Sequence, residues 1–75
     1  MQWSKTEMKK AVMMINRKLK GVFSEQEIET FEWYTDIETP DSYGWKFHYP
    51  ARQETWIYTY YRNNQKVEVR KVGSK

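Results

Sequence analysis

Within each of the segments 31–37, 43–49, 56–60 and 67–69 large apolar residues recur at every second position, whereas before Gly21 they fall at helical spacing. A period of two dictates half-buried strands and a period near 3.6 dictates an amphipathic helix. The 75 residues therefore read as one small α+β domain spanning 1–75. Its N-terminal amphipathic helix packs on one face of a four-stranded antiparallel sheet, in an α-β-β-β-β meander.

Ser4-Lys5-Thr6-Glu7 is a capping box, and Trp3 and Met8 flank it as a hydrophobic staple, so the helix starts at about Lys5. Met8, Ala11, Val12, Ile15 and Leu19 share one arc of roughly 100° on a helical wheel. Gly21 is placed to take a left-handed conformation just past the end, which puts the last helical residue near Lys20. A second capping box, Ser24-Glu25-Gln26-Glu27, has its own staple pair in Phe23 and Ile28. The residues after it turn aromatic and β-branched, so at most one helical turn is expected there, and periodicity alone leaves 24–30 open between helix and strand.

In the first strand, alternation puts Phe31, Trp33, Thr35 and Ile37 on one face and Glu32, Tyr34 and Asp36 on the other. Thr39-Pro40-Asp41-Ser42 has the chemistry of a turn. The next strand carries Tyr43, Trp45, Phe47 and Tyr49 on one face, with Lys46 and His48 opposite, and Pro50 stops it. Asn63-Asn64 suits a two-residue hairpin turn with positive φ. That turn pairs Tyr60 with Val67 and Tyr58 with Val69 on the inner face. On the outer face it pairs Tyr61 with Lys66, Thr59 with Glu68 and Ile57 with Arg70. Trp56, Tyr58, Tyr60, Val67 and Val69 are then inside, and residues 72–75 form a frayed tail.

Four strands at about 4.8 Å spacing are wider than a helix of about 10–12 Å. One helix cannot cover a face bearing so many of the four Trp, six Tyr and three Phe of this chain. The 20–30 segment, a second copy of the chain or a ligand must cover the remainder.

The net charge of +3 hides a segregated pattern. Residues 1–22 carry Lys5, Lys9, Lys10, Arg17, Lys18 and Lys20 against Glu7, while residues 23–42 carry seven acids and no base. Residues 43–75 return to basic. Pairing between these blocks on the folded surface competes with partner binding as an explanation. Lys5, Lys9, Lys10, Arg17 and Lys20 lie on the side of the helix away from the apolar arc, with Met13 among them.

Catalytic chemistry finds little support in these residues. His48 is the single histidine and has no second imidazole for a metal and no nucleophile to activate. Asp36, Glu38 and Asp41 crowd one loop but lack the glycine and terminal glutamate of a calcium loop. Pro40-Asp41 with Glu68-Val69-Arg70 has arginine where a metal-nuclease motif wants lysine, and the glycines are too scattered for a phosphate loop. No enzyme activity, cofactor or metal is expected. Absence of cysteine fits a reducing interior, and Ala11-Val12-Met13-Met14-Ile15 is too short to span a membrane, so a cytoplasmic protein without membrane association is expected.

Two classes of partner remain. The first is a larger protein, to which this chain would be an inhibitor or adaptor of the kind small accessory phage proteins often are. The contact residues would be the surplus aromatic and acidic ones, Glu32, Trp33, Tyr34, Asp36 and Trp45. The alternative is nucleic acid, held by Lys46, Tyr61, Lys66 and Arg70 on the outer sheet face or by Lys9 and Arg17 of the helix. The acidic block argues against wholesale phosphate contact and puts the protein partner ahead. A homodimer is compatible with either and would bury uncovered rings.

Overall fold

The structure is a computed structural model that describes residues 3–74, with the side chains of Thr35, Gly73 and Ser74 outside the description. Its elements run α1 (Lys5–Val22), α2 (Glu25–Glu29), β1 (Glu32–Glu38), β2 (Ser42–Tyr49), β3 (Glu54–Tyr61) and β4 (Lys66–Ser74). The strands form one antiparallel sheet in the order β1-β2-β3-β4, with α1 on one face. This is the α+β meander that the alternation predicts.

Both helices begin with the same device, and each device also ties the helix to the sheet. At Ser4 the hydroxyl accepts the Glu7 N–H, and Glu7 accepts the Ser4 N–H in return. The same carboxylate takes two bonds from Arg62 of the β3–β4 loop, Nη2 to Oε1 at 2.6 Å and Nε to Oε2 at 3.0 Å. Arg62 further donates from Nη1 to the Pro40 carbonyl, and its guanidinium lies 4.6 Å from the Trp3 ring centre. The staple residue Trp3 packs against Tyr43 and Tyr60 and donates its indole N–H to the Thr39 carbonyl.

At Ser24 the arrangement repeats. Glu27 closes the box through Oε1 and accepts the Tyr49 hydroxyl at Oε2, 2.7 Å away. The staple residue Phe23 is driven among Phe31, Phe47, Tyr49 and Trp56. The 20–30 segment thus covers one end of the ring-bearing face.

That second anchor explains why α1 runs through Gly21 to Val22 instead of ending near Lys20. Phe23 must be extended to enter the rings, and Ser24 must be extended to cap α2. Only these two residues separate the helices, which leaves no room for a left-handed turn at Gly21; the Phe23 N–H closes α1 on the Leu19 carbonyl instead.

Ala11, Ile15 and Leu19 of α1 are fully buried against Phe47 and Tyr58, with Tyr43, Tyr49 and Tyr60 around them. Burial of each Ile or Leu contributes roughly 1.5–3 kcal/mol. Lys10 is exposed, as the wheel suggested, and its long side chain reaches Gln65 Oε1 at 2.8 Å, at the end of the β3–β4 hairpin.

The β3–β4 register is the expected one, from Ile57 with Arg70 to Tyr61 with Lys66. The connection differs. It is a four-residue loop, 62–65, closed by Gln65 N–H on the Tyr61 carbonyl, and the positive φ of 56° belongs to Gln65 rather than to an asparagine. The register survives because both turns keep the same pairing sum. Val69 is 38 % exposed, since β4 is an edge strand. Residues 72–74, expected to fray, extend β4, with Val72 opposite Thr55 and Ser74 opposite Glu54.

The largest departure lies in β1. Trp33 pairs with Phe47 but Thr35 pairs with Lys46, so Tyr34 is an extra residue in a β-bulge. Beyond the bulge the alternation inverts. Asp36 stands opposite Trp45 and Glu38 opposite Tyr43 on the ring-bearing face, while Ile37, expected inside, stands opposite Gly44 on the outer face.

Two measurements test this account. The Tyr58 hydroxyl is buried with no hydrogen-bond partner among the described residues, so Tyr58→Phe removes an unsatisfied polar group. It should stabilise the fold by about 1 kcal/mol, read as a thermal midpoint about 4–8 °C higher; a lower midpoint would show that the hydroxyl is satisfied. Hydrogen bonds from Arg62, then from the Ser4 N–H, lower the Glu7 pKa from 4.5 to about 2. Its stabilisation is present above pH 4.5 and is lost as the pH falls through about 2. Thermal midpoints of the native chain and Glu7→Gln should therefore differ at pH 7 and converge between pH 4.5 and 2. A constant gap over that window would contradict the Glu7–Arg62 ion pair.

Candidate functional site

The helix packs chiefly on β2, β3 and β4, and on β1 Trp33 is left about half exposed. Beside β1 a cleft of about 440 Å³ opens between α1 and the sheet, lined by Asn16, Trp33, Asp36, Tyr43 and Trp45. Trp33 is 48 % exposed although its ring touches Phe31 and Phe47 in the core. Trp33 and Trp45 meet at 85° with centroids 5.6 Å apart, and Tyr43 meets Trp45 at 80° and 6.4 Å. The rings wall the cleft nearly at right angles, in the edge-to-face arrangement that aromatic quadrupoles favour.

A polar relay runs through these rings. Trp45 Nε1 donates to the Tyr43 hydroxyl at 3.0 Å, and that hydroxyl donates to Asp36 Oδ2 at 3.1 Å. Burial pushes the Tyr43 hydroxyl pKa up, and the nearby Asp36 and Glu38 carboxylates push it the same way against the Trp45 N–H. The hydroxyl therefore stays protonated at neutral pH and keeps donating to Asp36.

The bulge makes this geometry. Without the extra Tyr34, strict alternation would carry Ile37 to the rings and turn Asp36 toward solvent on the far face. An apolar residue was available for the ring-bearing face, yet two carboxylates occupy it.

Trp33, Asp36 and Trp45 are thus brought together, whereas Glu32 and Tyr34, named with them as contact residues, stay on the outer face where alternation put them; Asp36 is the one that departs from it. Glu32 stands opposite His48. Tyr34 is stacked beside His48, with Lys46 Nζ 5.6 Å from its ring centre. His48 Nδ1 lies 3.2 Å from Thr55 Oγ1. The sheet residues proposed for nucleic acid share this outer face, but Tyr61 there donates its hydroxyl to Glu68, which puts a carboxylate among Lys66 and Arg70. Lys9 and Arg17 lie on α1, on the opposite side of the sheet from Lys46 and Tyr61. They border a furrow of about 630 Å³ that also involves Val12 and Met13 and is formed by side chains of that one helix.

Asn16 and Tyr43 were not singled out as site residues by sequence reasoning, and Glu38 was weighed only as one of three loop acids. Counting back from the Thr39–Ser42 turn pairs Glu38 with Tyr43 and Asp36 with Trp45, whereas counting forward from Phe31 puts Asp36 outside. That conflict was the available signal of a bulge. Among the described residues no group of three His, Asp or Glu is arranged to hold a metal ion, and no helix is long and apolar enough to cross a membrane. The chain matches no protein-family model, no curated protein and no solved structure at a significant level.

Replacing Tyr43 by Phe should break the relay. The Trp45 indole N–H resonance should move upfield and exchange faster with water, with a stability loss of about 1 kcal/mol. An unmoved resonance would mean that the indole has another acceptor.

Proposed function

We propose that this chain is a non-enzymatic, cytoplasmic protein-binding module, an inhibitor or adaptor of a larger protein, and that its contact surface centres on the cleft of Trp33, Asp36 and Trp45. The observation that carries this reading is the half-exposed Trp33, held over the core rings beside carboxylates that the bulge turns toward it. Exposed tryptophan on a rigid base is the residue type most enriched at the energetic centres of protein interfaces. A sheet supplies that rigidity, so little side-chain freedom is lost on docking. The acids of residues 25–41 would steer a basic partner toward the cleft and set the encounter rate. Against catalysis stands the single histidine of the chain, His48, which lies on the outer sheet face, away from the cleft.

Nucleic acid is the alternative, favoured by Lys46 over Tyr34 and by Lys66 and Arg70 on the outer face. Its weakness is the presence of Glu32 and Glu68 on that same face.

The two are separated by immobilising the native chain and three variants, Trp33→Ala, Asp36→Asn and the double replacement of Lys66 and Arg70 by Ala. Each is offered cell protein and a pool of oligonucleotides at about 50 and 200 mM salt. The module reading expects one or a few proteins held by the native chain and by the Lys66/Arg70 variant. Trp33→Ala should weaken their capture by roughly 30-fold or more while its circular dichroism remains native. Oligonucleotides retained at the lower salt, released at the higher and lost with Lys66 and Arg70 would overturn it.

A further inference from the structure

The furrow along α1 and the cleft of Trp33 and Trp45 meet at Asn16, which lines both. They lie on one flank of the helix; the other flank faces β4, where Met14 and Lys18 lie beside Lys66 and Val67. Met8, Val12 and Met13 supply the apolar lining of the furrow, and Met13 is 50 % exposed. Its remaining lining is basic, with Lys5 and Lys9 towards one end and Arg17 and Lys20 towards the other, all four exposed. The ion pairs seen among the described residues, Arg62 with Glu7 and Lys71 with Glu54, use none of these four. Furrow and cleft together make a trough with bases on its α1 side and, on its β1 side, Asp36 in the lining and Glu38 next on the same face.

Resting on the module reading above, we infer that this trough seats an amphipathic α-helix presented by the partner, with acidic residues along the edge that meets α1. The strip of sheet beside α1 is about one helix wide, since four strands span roughly 19 Å and a helix about 10–12 Å. A second helix laid there packs at the usual axis separation of about 8–10 Å. From Lys5 to Lys20 the furrow runs about 22 Å, the length of about four helical turns. Apolar residues at every third or fourth position of the incoming helix meet Val12, Met13 and Trp33, which is how a groove reads a helix. Its acids meet Lys5, Lys9, Arg17 and Lys20, and charge complementarity of this kind fixes register and rejects wrong partners.

Other occupants fit less well. A second copy offering its own α1 would set lysines against lysines, and its acidic helix α2 has five residues, too few to span the furrow. A basic helix would meet like charge along the whole α1 side. Nucleic acid or an anionic bilayer would satisfy the bases but would face Asp36 and Glu38 across the trough.

The test displays a library of helices of about 15 residues, alanine-based and randomised on one face and its two edges, and selects it against the full native chain at about 150 mM salt. The retained sequences are expected to carry apolar residues at helical spacing and an excess of Glu and Asp along one edge. As peptides they should saturably shift the backbone amides of Val12, Met13 and Asn16 and the indole N–H of Trp33. Met13→Asp, and the double variant Lys9→Glu with Arg17→Glu, should each weaken that binding by about tenfold or more with circular dichroism unchanged.

Enrichment of no helix, enrichment of basic or uncharged ones, or binding that the α1 variants leave unchanged overturns the inference. A native mass of two chains that falls to one in Met13→Asp would give the trough to a second copy instead. Oligonucleotides or phosphatidylserine vesicles retained by the native chain and lost with Lys9 and Arg17 would give it to phosphate. If partner capture depends on Trp33 but not on Lys9, Met13 or Arg17, this inference fails and the module stands. If capture depends on none of the four, both fail.

Discussion

A four-stranded sheet is about twice as wide as the helix laid across it, and this chain has one long helix. Where that helix sits decides which rings become core and which become surface. It sits over β2, β3 and β4, so Phe47, Tyr58 and Tyr60 are buried while Trp33 on β1 stays half in solvent. The uncovered strip is a geometric consequence of the element count, and the bulge decides what chemistry fills it.

The helix is held in that position from both ends. Glu7 and Glu27 each close a capping box, and each has acceptor capacity left for a partner on or beside the sheet, Arg62 for one and the Tyr49 hydroxyl for the other. Trp3 and Phe23, the staple residues before each cap, enter the ring cluster at different points. A carboxylate offers about four acceptor positions, which is why one residue can cap a helix and anchor it. The helix cannot slide toward β1 without breaking one of these attachments, and so the cleft beside Asn16 stays open.

The cleft departs from the local logic of the rest of the fold. Elsewhere polar and apolar residues alternate to the expected faces, as from Tyr43 to Tyr49 and from Ile57 to Tyr61. In β1 the extra residue hands the inner face to Asp36 and Glu38 and sends Ile37 outside. Such an exchange gives up apolar burial, and places where a sequence breaks its own pattern are where function is sought. The relay from Trp45 through Tyr43 to Asp36 gives the exchange a structure and orients the carboxylate against the rings.

By itself the sequence determined the start of α1, the strands and their meander order, and the β3–β4 register, while it left 24–30 open between helix and strand. These depend on patterns within a few residues or on one turn, and side-chain alternation makes a one-residue error expensive wherever one face is buried. It could not locate the bulge, because Tyr34 and Thr35 both suit an ordinary strand and only the clash of two registers counted from opposite ends exposes the extra residue. Nor could it pair Glu7 with Arg62, which lie 55 positions apart, or choose which strand the helix leaves least covered. Those outcomes belong to tertiary structure, because they depend on how finished elements dock, and docking is decided by the sum of ring packing, ion pairing and width that no local window contains.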